Sequence, residues 1–167
     1  MPTTEAYRAV SGIILRRLPL ASNFSLPNAK KPLHDLGRKP NELLYLLVKK
    51  PRKDHAWQFP QGGQEKNETA SEAALRELKE ECGAELSTHL LDIKQPVGIY
   101  QYQFPKEFIE SNKRNSIGAR VSFFRADWVS GQCQPDDKEI VDFAWLTKEE
   151  LWEYVSLEYK KAIQSFL

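Results

Sequence analysis

At 167 residues, 41% hydrophobic and 28% charged, the chain fits one domain with a core of its own. A formal charge of +1 and a pI near 7.7 argue against a protein that coats itself in nucleic acid, because such binding rests on Lys and Arg neutralising phosphates. No apolar run approaches the roughly 20 residues of a membrane span, and two cysteines, Cys82 and Cys133, suit a reducing compartment without a disulfide framework.

The first predicted element is a strand over Tyr7 to Arg17, rich in Val, Ile and Leu, and it suits a strand better than a secretory or mitochondrial presequence. Residues 18–41, rich in Pro, Asn, Ser and Lys, read as a long surface excursion, a length unusual in a compact domain unless it binds a partner or serves a function. Glu42 to Lys49, containing Leu-Leu-Tyr-Leu-Leu-Val, reads as a buried strand, and Trp57 to Phe59 as a short one that Pro60 stops. Thr69 to Cys82 is the best helix. Strands follow at Val97 to Phe104, at Ala119 to Trp128 with Val121 and Phe123 on one face, and at Phe143 to Leu146.

Residues 147–167 read as C-terminal helices. Thr147-Lys-Glu-Glu150 is a capping box, and Ser156 caps a last helix with Tyr159, Ala162, Ile163 and Phe166 on its apolar face. The order of elements implies an α/β fold, a mixed sheet with helices on its faces. The basic clusters Arg16–Arg17, Lys30–Lys31, Lys49 to Lys53 and Lys113–Arg114 read as solvated loops or strand ends. Cys82 falls in a predicted helix and Cys133 in a predicted loop, which suggests two unrelated free thiols.

The chemistry concentrates in the helix and the loop before it. At about 100° per residue, Ala74, Leu75, Leu78 and Cys82 share a stripe expected to face the core. Glu77, Glu80 and Glu81 share a different face, where their mutual repulsion calls for a counter-charge. A hard divalent cation, Mg²⁺ or Mn²⁺, supplies one through oxygen ligands. Ala73 on that face is small and leaves room for a ligand, and Glu68 and Arg76 are placed to tie the loop to the helix. Gly62 and Gly63 allow a tight turn and a close approach of backbone to a ligand.

Together, Gly62, Glu68 and Arg76-Glu77-Leu78-Lys79-Glu80-Glu81-Cys82-Gly83 resemble the box of the Nudix superfamily over residues 62–84. Ala84 stands where a larger aliphatic is usual, and Asn67 where many members have Gly. The resemblance implies a single domain over 1–167 with the Nudix fold, an α/β/α sandwich. It also implies Glu77, Glu80 and Glu81 as Mg²⁺ ligands, Arg76 as the residue that orients them, and a further acid outside the box, with Glu139 and Asp137 as candidates. The lead-in Trp57-Gln-Phe-Pro-Gln-Gly-Gly63 is similar to that of RNA 5′-pyrophosphohydrolases and diadenosine tetraphosphate hydrolases, which implies a nucleotide substrate. Trp57 and Phe59 are equally suited to a place in the core.

A second resemblance runs through the C-terminal half. Gly98-Ile-Tyr-Gln-Tyr-Gln-Phe-Pro105, Gly118-Ala-Arg-Val-Ser-Phe-Phe-Arg-Ala126 and Ala144-Trp-Leu-Thr-Lys-Glu-Glu-Leu-Trp-Glu-Tyr-Val155 are similar to Nudix-fold proteins of the mitochondrial large ribosomal subunit. That resemblance implies a structural role in the mitochondrial matrix among neighbouring mitochondrial ribosomal proteins, with rRNA as a further contact. The alternative is a Mg²⁺-dependent, cytoplasmic pyrophosphohydrolase. Members of the ribosomal family often lack the box carboxylates, and here all are present.

Overall fold

The computed structural model describes residues 6–21, 31–107, 109 and 116–167. In chain order the strands are β1 (Tyr7–Arg17), β2 (Leu44–Lys49), β3 (Trp57–Gln58), β4 (Gln61–Gly63), β5 (Ser87–Leu90), β6 (Gly98–Gln103), β7 (Gly118–Ser130) and β8 (Asp142–Leu146). The helices are α1 (Ala70–Cys82), α2 (Lys148–Leu151) and α3 (Leu157–Ile163). All eight strands join one mixed sheet. β1 runs parallel to β7 from Tyr7 opposite Gly118 to Arg16 opposite Asp127. Its other edge is shared by β4, which pairs with Val10–Gly12, and β2, which pairs with Arg16–Arg17.

Residues alternate across this sheet and build a core on each side. Ile13, Leu15, Leu46, Val48, Phe124 and Trp145 pack with Ala74, Leu78 and Cys82 of α1 on one face. Val10, Ile14, Tyr45, Leu47, Phe59, Val121 and Phe123 pack with Leu151 of α2 and Ile163 of α3 on the other. Cover on both faces explains why β2 is apolar without a break. The expected α/β/α sandwich is what the chain adopts. No helix among the described residues is long and apolar enough to cross a membrane.

Several expectations need revision. Residues 22–30 of the excursion lie outside the described residues, but its second half is anchored. Leu36 is buried, and the Arg17 guanidinium donates to the carbonyls of Leu36 (2.6 Å), Arg38 (2.8 Å), Lys39 (2.9 Å) and Glu42. Arg17 is therefore fully buried and no solvated strand end, because four carbonyls replace its water. Lys30 and Lys113–Arg114 lie outside the described residues.

Leu75 is 38% exposed, since the apolar stripe of α1 narrows to Ala74, Leu78 and Cys82. Cys82 and Cys133 are free but not unrelated. They lie in one core cluster, and the Cys133 thiol hydrogen-bonded to Cys82, with burial, holds the Cys82 thiol well above its usual range. At the C-terminus both caps form as expected: the Thr147–Glu150 capping box is reciprocal, and the Ser156 hydroxyl accepts from the Tyr159 N–H at 3.2 Å.

Candidate functional site

The loop before α1 is closed by its own side chains. Asn67 takes the left-handed conformation (φ 69°), and the Glu65 N–H donates to Glu68 Oε1 at 2.8 Å. Thr69 caps α1 by accepting from the Glu72 N–H, and Gly83 (φ 90°) ends it.

Arg76 then ties loop to helix. Its Nε and Nη2 donate to the two Glu68 oxygens at 2.7 and 3.0 Å, a bidentate pair. Nη2 also donates to the Gly63 carbonyl at 2.8 Å, and Nη1 to Glu77 Oε1 at 3.0 Å and Glu80 Oε1 at 3.1 Å. The hydrogen bonds from Arg76 hold the Glu68 carboxyl down at about 2. Arg76 thus touches two of the three box glutamates and the loop backbone.

The third, Glu81, is fully buried. Burial pushes its carboxyl up to about 7 against the pull of Lys50, whose ammonium lies 2.8 Å from Oε2, while Glu139 and Glu77 push it further up. Its other oxygen accepts from the Gln61 N–H at 3.1 Å. Glu77 is nearly buried, and burial raises it too, with Arg76 opposing and Glu80 and Glu139 adding repulsion. Glu80 is half-exposed (49%).

Glu139 is exposed in a loop fastened by Asp136, whose Oδ1 accepts from the N–H groups of Lys138, Glu139 and Ile140. The charge of Glu139 is felt by both Glu77 and Glu81.

Gly62 and Gly63 do not turn the chain, because both lie in β4 without a positive φ. They leave room for the side chains that lie over the strand. A Cβ on Gly62 would fall 2.0 Å from the Glu77 carboxyl carbon, and one on Gly63 would fall 2.2 Å from Arg8 Nη2. Ala73 is completely buried beneath α1, so its small side chain serves packing.

Among the described residues, no three acidic, imidazole or thiol groups stand ready as a metal cage. Glu81 is turned to Lys50, and Glu77 and Glu80 to Arg76. The donor chemistry still fits a hard divalent cation: the three are carboxylates, they crowd one end of α1, and two of them are raised by mutual repulsion as well as burial.

Beside the carboxylates opens a cleft of about 410 Å³, of nucleoside size. Its wall is the aromatic side of β6, Tyr100, Tyr102 and the following Phe104, with Trp57 and Tyr159 at its back and Arg52, His55 and Glu158 at its rim. Gln61 lines this cleft while its N–H holds Glu81, so cleft and carboxylates adjoin.

Neither Lys50 nor the cleft was anticipated. The abrupt Lys49-Lys50 after six apolar residues was the available signal for the first. The cleft draws on three separated segments and had none. Phe59 joins the core fully, whereas Trp57 meets Tyr154 edge-on and faces the cleft.

The family model described as NUDIX domain matches residues 36–166. An RNA pyrophosphohydrolase of Marinomonas sp. (strain MWYL1) is 36% identical over 121 residues, which is 71% of each chain. Large ribosomal subunit protein mL46 of Bos taurus is 32% identical over 145 residues, 84% of this chain and 49% of that protein. The chain therefore spans about half the length of this ribosomal relative. Among solved structures, an Ap4A hydrolase of C. elegans in a binary complex superposes with a TM-score of 0.63 at 16% identity, covering 95% of this chain and 94% of the other.

Proposed function

Because the chain belongs to the NUDIX domain family, we propose that it works as a Nudix-fold component of the mitochondrial large ribosomal subunit that has kept its metal-binding box. The observation that carries this reading is the likeness to mL46, 32% identical across 84% of the chain. A net charge of only +1 agrees with a domain held mainly by protein neighbours, with rRNA as a secondary contact. The matrix of the mitochondrion is its place in this reading.

A second reading, Mg²⁺-dependent hydrolysis of a nucleotide diphosphate linkage, is favoured by the Arg76 network and by the likeness to an RNA pyrophosphohydrolase. In it Glu77, Glu80 and Glu81 would hold Mg²⁺ or Mn²⁺, which would supply polarisation of phosphate and activation of water. Arg76 keeps two of these carboxylates aligned and fixes the Gly63 carbonyl. Lys50 opposes the burial that raises Glu81, Glu139 acts as the further acid, and the backbone at Gly62 and Gly63 borders the substrate.

The decisive experiment is sedimentation of the tagged native protein from lysate in low-salt magnesium buffer, with mass spectrometry of the fractions. Migration with the mitochondrial large subunit is expected, and migration as a small free protein overturns the ribosomal reading. Glu81→Gln then separates the two roles: assembly persists, and any Mg²⁺-dependent turnover disappears.

A further inference from the structure

The cleft beside the box has a feature that general apolar packing does not require. Tyr100, Tyr102 and Phe104 repeat at every second residue, so their rings share one side of the strand. Tyr100 and Tyr102 lie 5.0 Å apart between centroids, and Tyr102 and Phe104 5.9 Å. Tyr100 and Tyr102 are tilted by 31° to each other, and Phe104 stands edge-on to Tyr102 at 75°. The pair Tyr100 and Tyr102 thus offers the aromatic surface against which a planar base stacks. At the end of that row stands a carboxylate, Glu158, fixed by the Tyr100 hydroxyl, which donates to its Oε1 at 3.1 Å.

A carboxylate only accepts hydrogen bonds, with about four lone-pair sites on two oxygens. The tyrosine uses one and leaves the rest open on the side of the cleft that Glu158 lines. A base that meets this group must offer donors. Guanine alone among the common bases offers two adjacent donors on its pairing edge, N1–H and the 2-amino group. Adenine and cytosine each place a bare ring nitrogen beside their amino group, which a carboxylate repels. Uracil flanks its one N–H with two carbonyls.

We propose that this cleft is a site for a guanine base carrying a 5′-phosphate chain, with Glu158 as the residue that selects guanine and Tyr100 and Tyr102 as its stacking wall. Arg52, whose Nη2 donates to the His55 carbonyl at 2.8 Å and to Gln58 Oε1 at 3.0 Å, is braced at the rim as a positive charge. Gln61 marks the side on which the cleft meets Glu81, so the phosphates point toward the box. The site rests on the Nudix reading only for that direction. Recognition of the base stands whether or not the box hydrolyses anything, and whether or not the domain joins a ribosome.

The test is isothermal titration of the full chain with GDP, ADP and CDP in buffer containing EDTA, so that binding is read without turnover. GDP is expected to bind about tenfold or more tightly than the other two, the discrimination of a good paired contact to a base. Glu158→Gln brings that ratio close to one while the unfolding midpoint stays unchanged. Glu158→Asp, which keeps the charge, retains a preference for GDP. Tyr102→Ala weakens all three nucleotides alike. Short 5′-triphosphorylated RNAs beginning with G or A distinguish the source: a G preference stronger in RNA than in free nucleotides assigns the site to RNA 5′ ends, and the converse to free guanine nucleotides. Equal affinity for G and A ligands in both series overturns the proposal, as does a guanine preference that survives in Glu158→Gln. Neither result bears on the sedimentation experiment.

Discussion

Two arginines each hold a loop in this molecule, and they do so with different acceptors. Arg17, at the end of β1, is fully buried and donates only to main-chain carbonyls of residues 36–42. Arg76, in the middle of α1, is partly exposed and donates mainly to carboxylates. The first spends both terminal nitrogens on neutral dipoles that have nothing else to do, leaving only its buried Nε without a partner. The second draws on Glu77 and Glu80, groups with lone pairs to spare for another cation. A buried charge satisfied by backbone is a structural rivet, whereas a charge spread over carboxylates keeps a site assembled and open to exchange.

The sharpest way to break this contrast is Arg17→Met. It strands four carbonyls in the core and is expected to cost about 3–5 kcal/mol, a fall of roughly 10 °C in Tm for a chain of this size. Thermal and urea unfolding measure it, and a loss below about 1 kcal/mol would contradict the rivet. Arg76→Ala is expected to cost only about 1 kcal/mol, as an exposed network does. It should weaken Mn²⁺ binding by about 10- to 100-fold, the effect of removing a support from metal ligands. Electron paramagnetic resonance of free Mn²⁺ reads that loss, and unchanged affinity would make Arg76 a mere loop tie.

The smallest effect is a pH effect, and it compares the two regions directly. Hydrogen bonds from Arg38 hold Glu150 down at about 2, tying the Arg17 loop to α2, and those from Arg76 do the same for Glu68 in the box loop. Carboxyls depressed in the folded state stabilise it above their unfolded value near 4.5, and that contribution fades as pH falls from there toward 2. Wild type should lose stability across that window, and Glu150→Gln and Glu68→Gln should each flatten the slope. For Glu150, partly open to solvent, the difference stays below about 1 kcal/mol. An unaltered slope in both would mean that these pairs do not survive in solution.

Legibility in the sequence followed the same division between local and long-range causes. α1, with Thr69 before it and Gly83 after it, announces itself through periodicity and caps, as do the Thr147 and Ser156 helix starts. The Glu68–Arg76 tie lies within one loop and helix and was readable. β4, which is only Gln-Gly-Gly, has no strand propensity and exists because β1 pairs with it. β5, Ser87-Thr-His-Leu90, is a weak edge pattern organised by β7. Arg17, Lys50 and the Cys82–Cys133 contact depend on partners far along the chain. Charge in a sequence therefore reads as solvated until its acceptors are known. The aromatic strand at Gly98–Gln103 was visible as a strand, but nothing local tells that Glu158 would close its end.

The parallel ladder between β1 and β7 has a consequence for how the protein comes into being. Arg16 and Asp127, 111 positions apart, sit in the same ladder and share a hydrogen bond of 2.9 Å. During synthesis β1, with Val10, Ile13, Ile14 and Leu15, is made well before its longest partner, which arrives only with Gly118–Ser130. Neither face of the sheet closes before then. Folding of this domain is thus expected to be slow in its decisive step, as pairings of high sequence separation are. Until β7 arrives, β1 is an apolar strand without its longest partner, an invitation to chaperones and to aggregation alike.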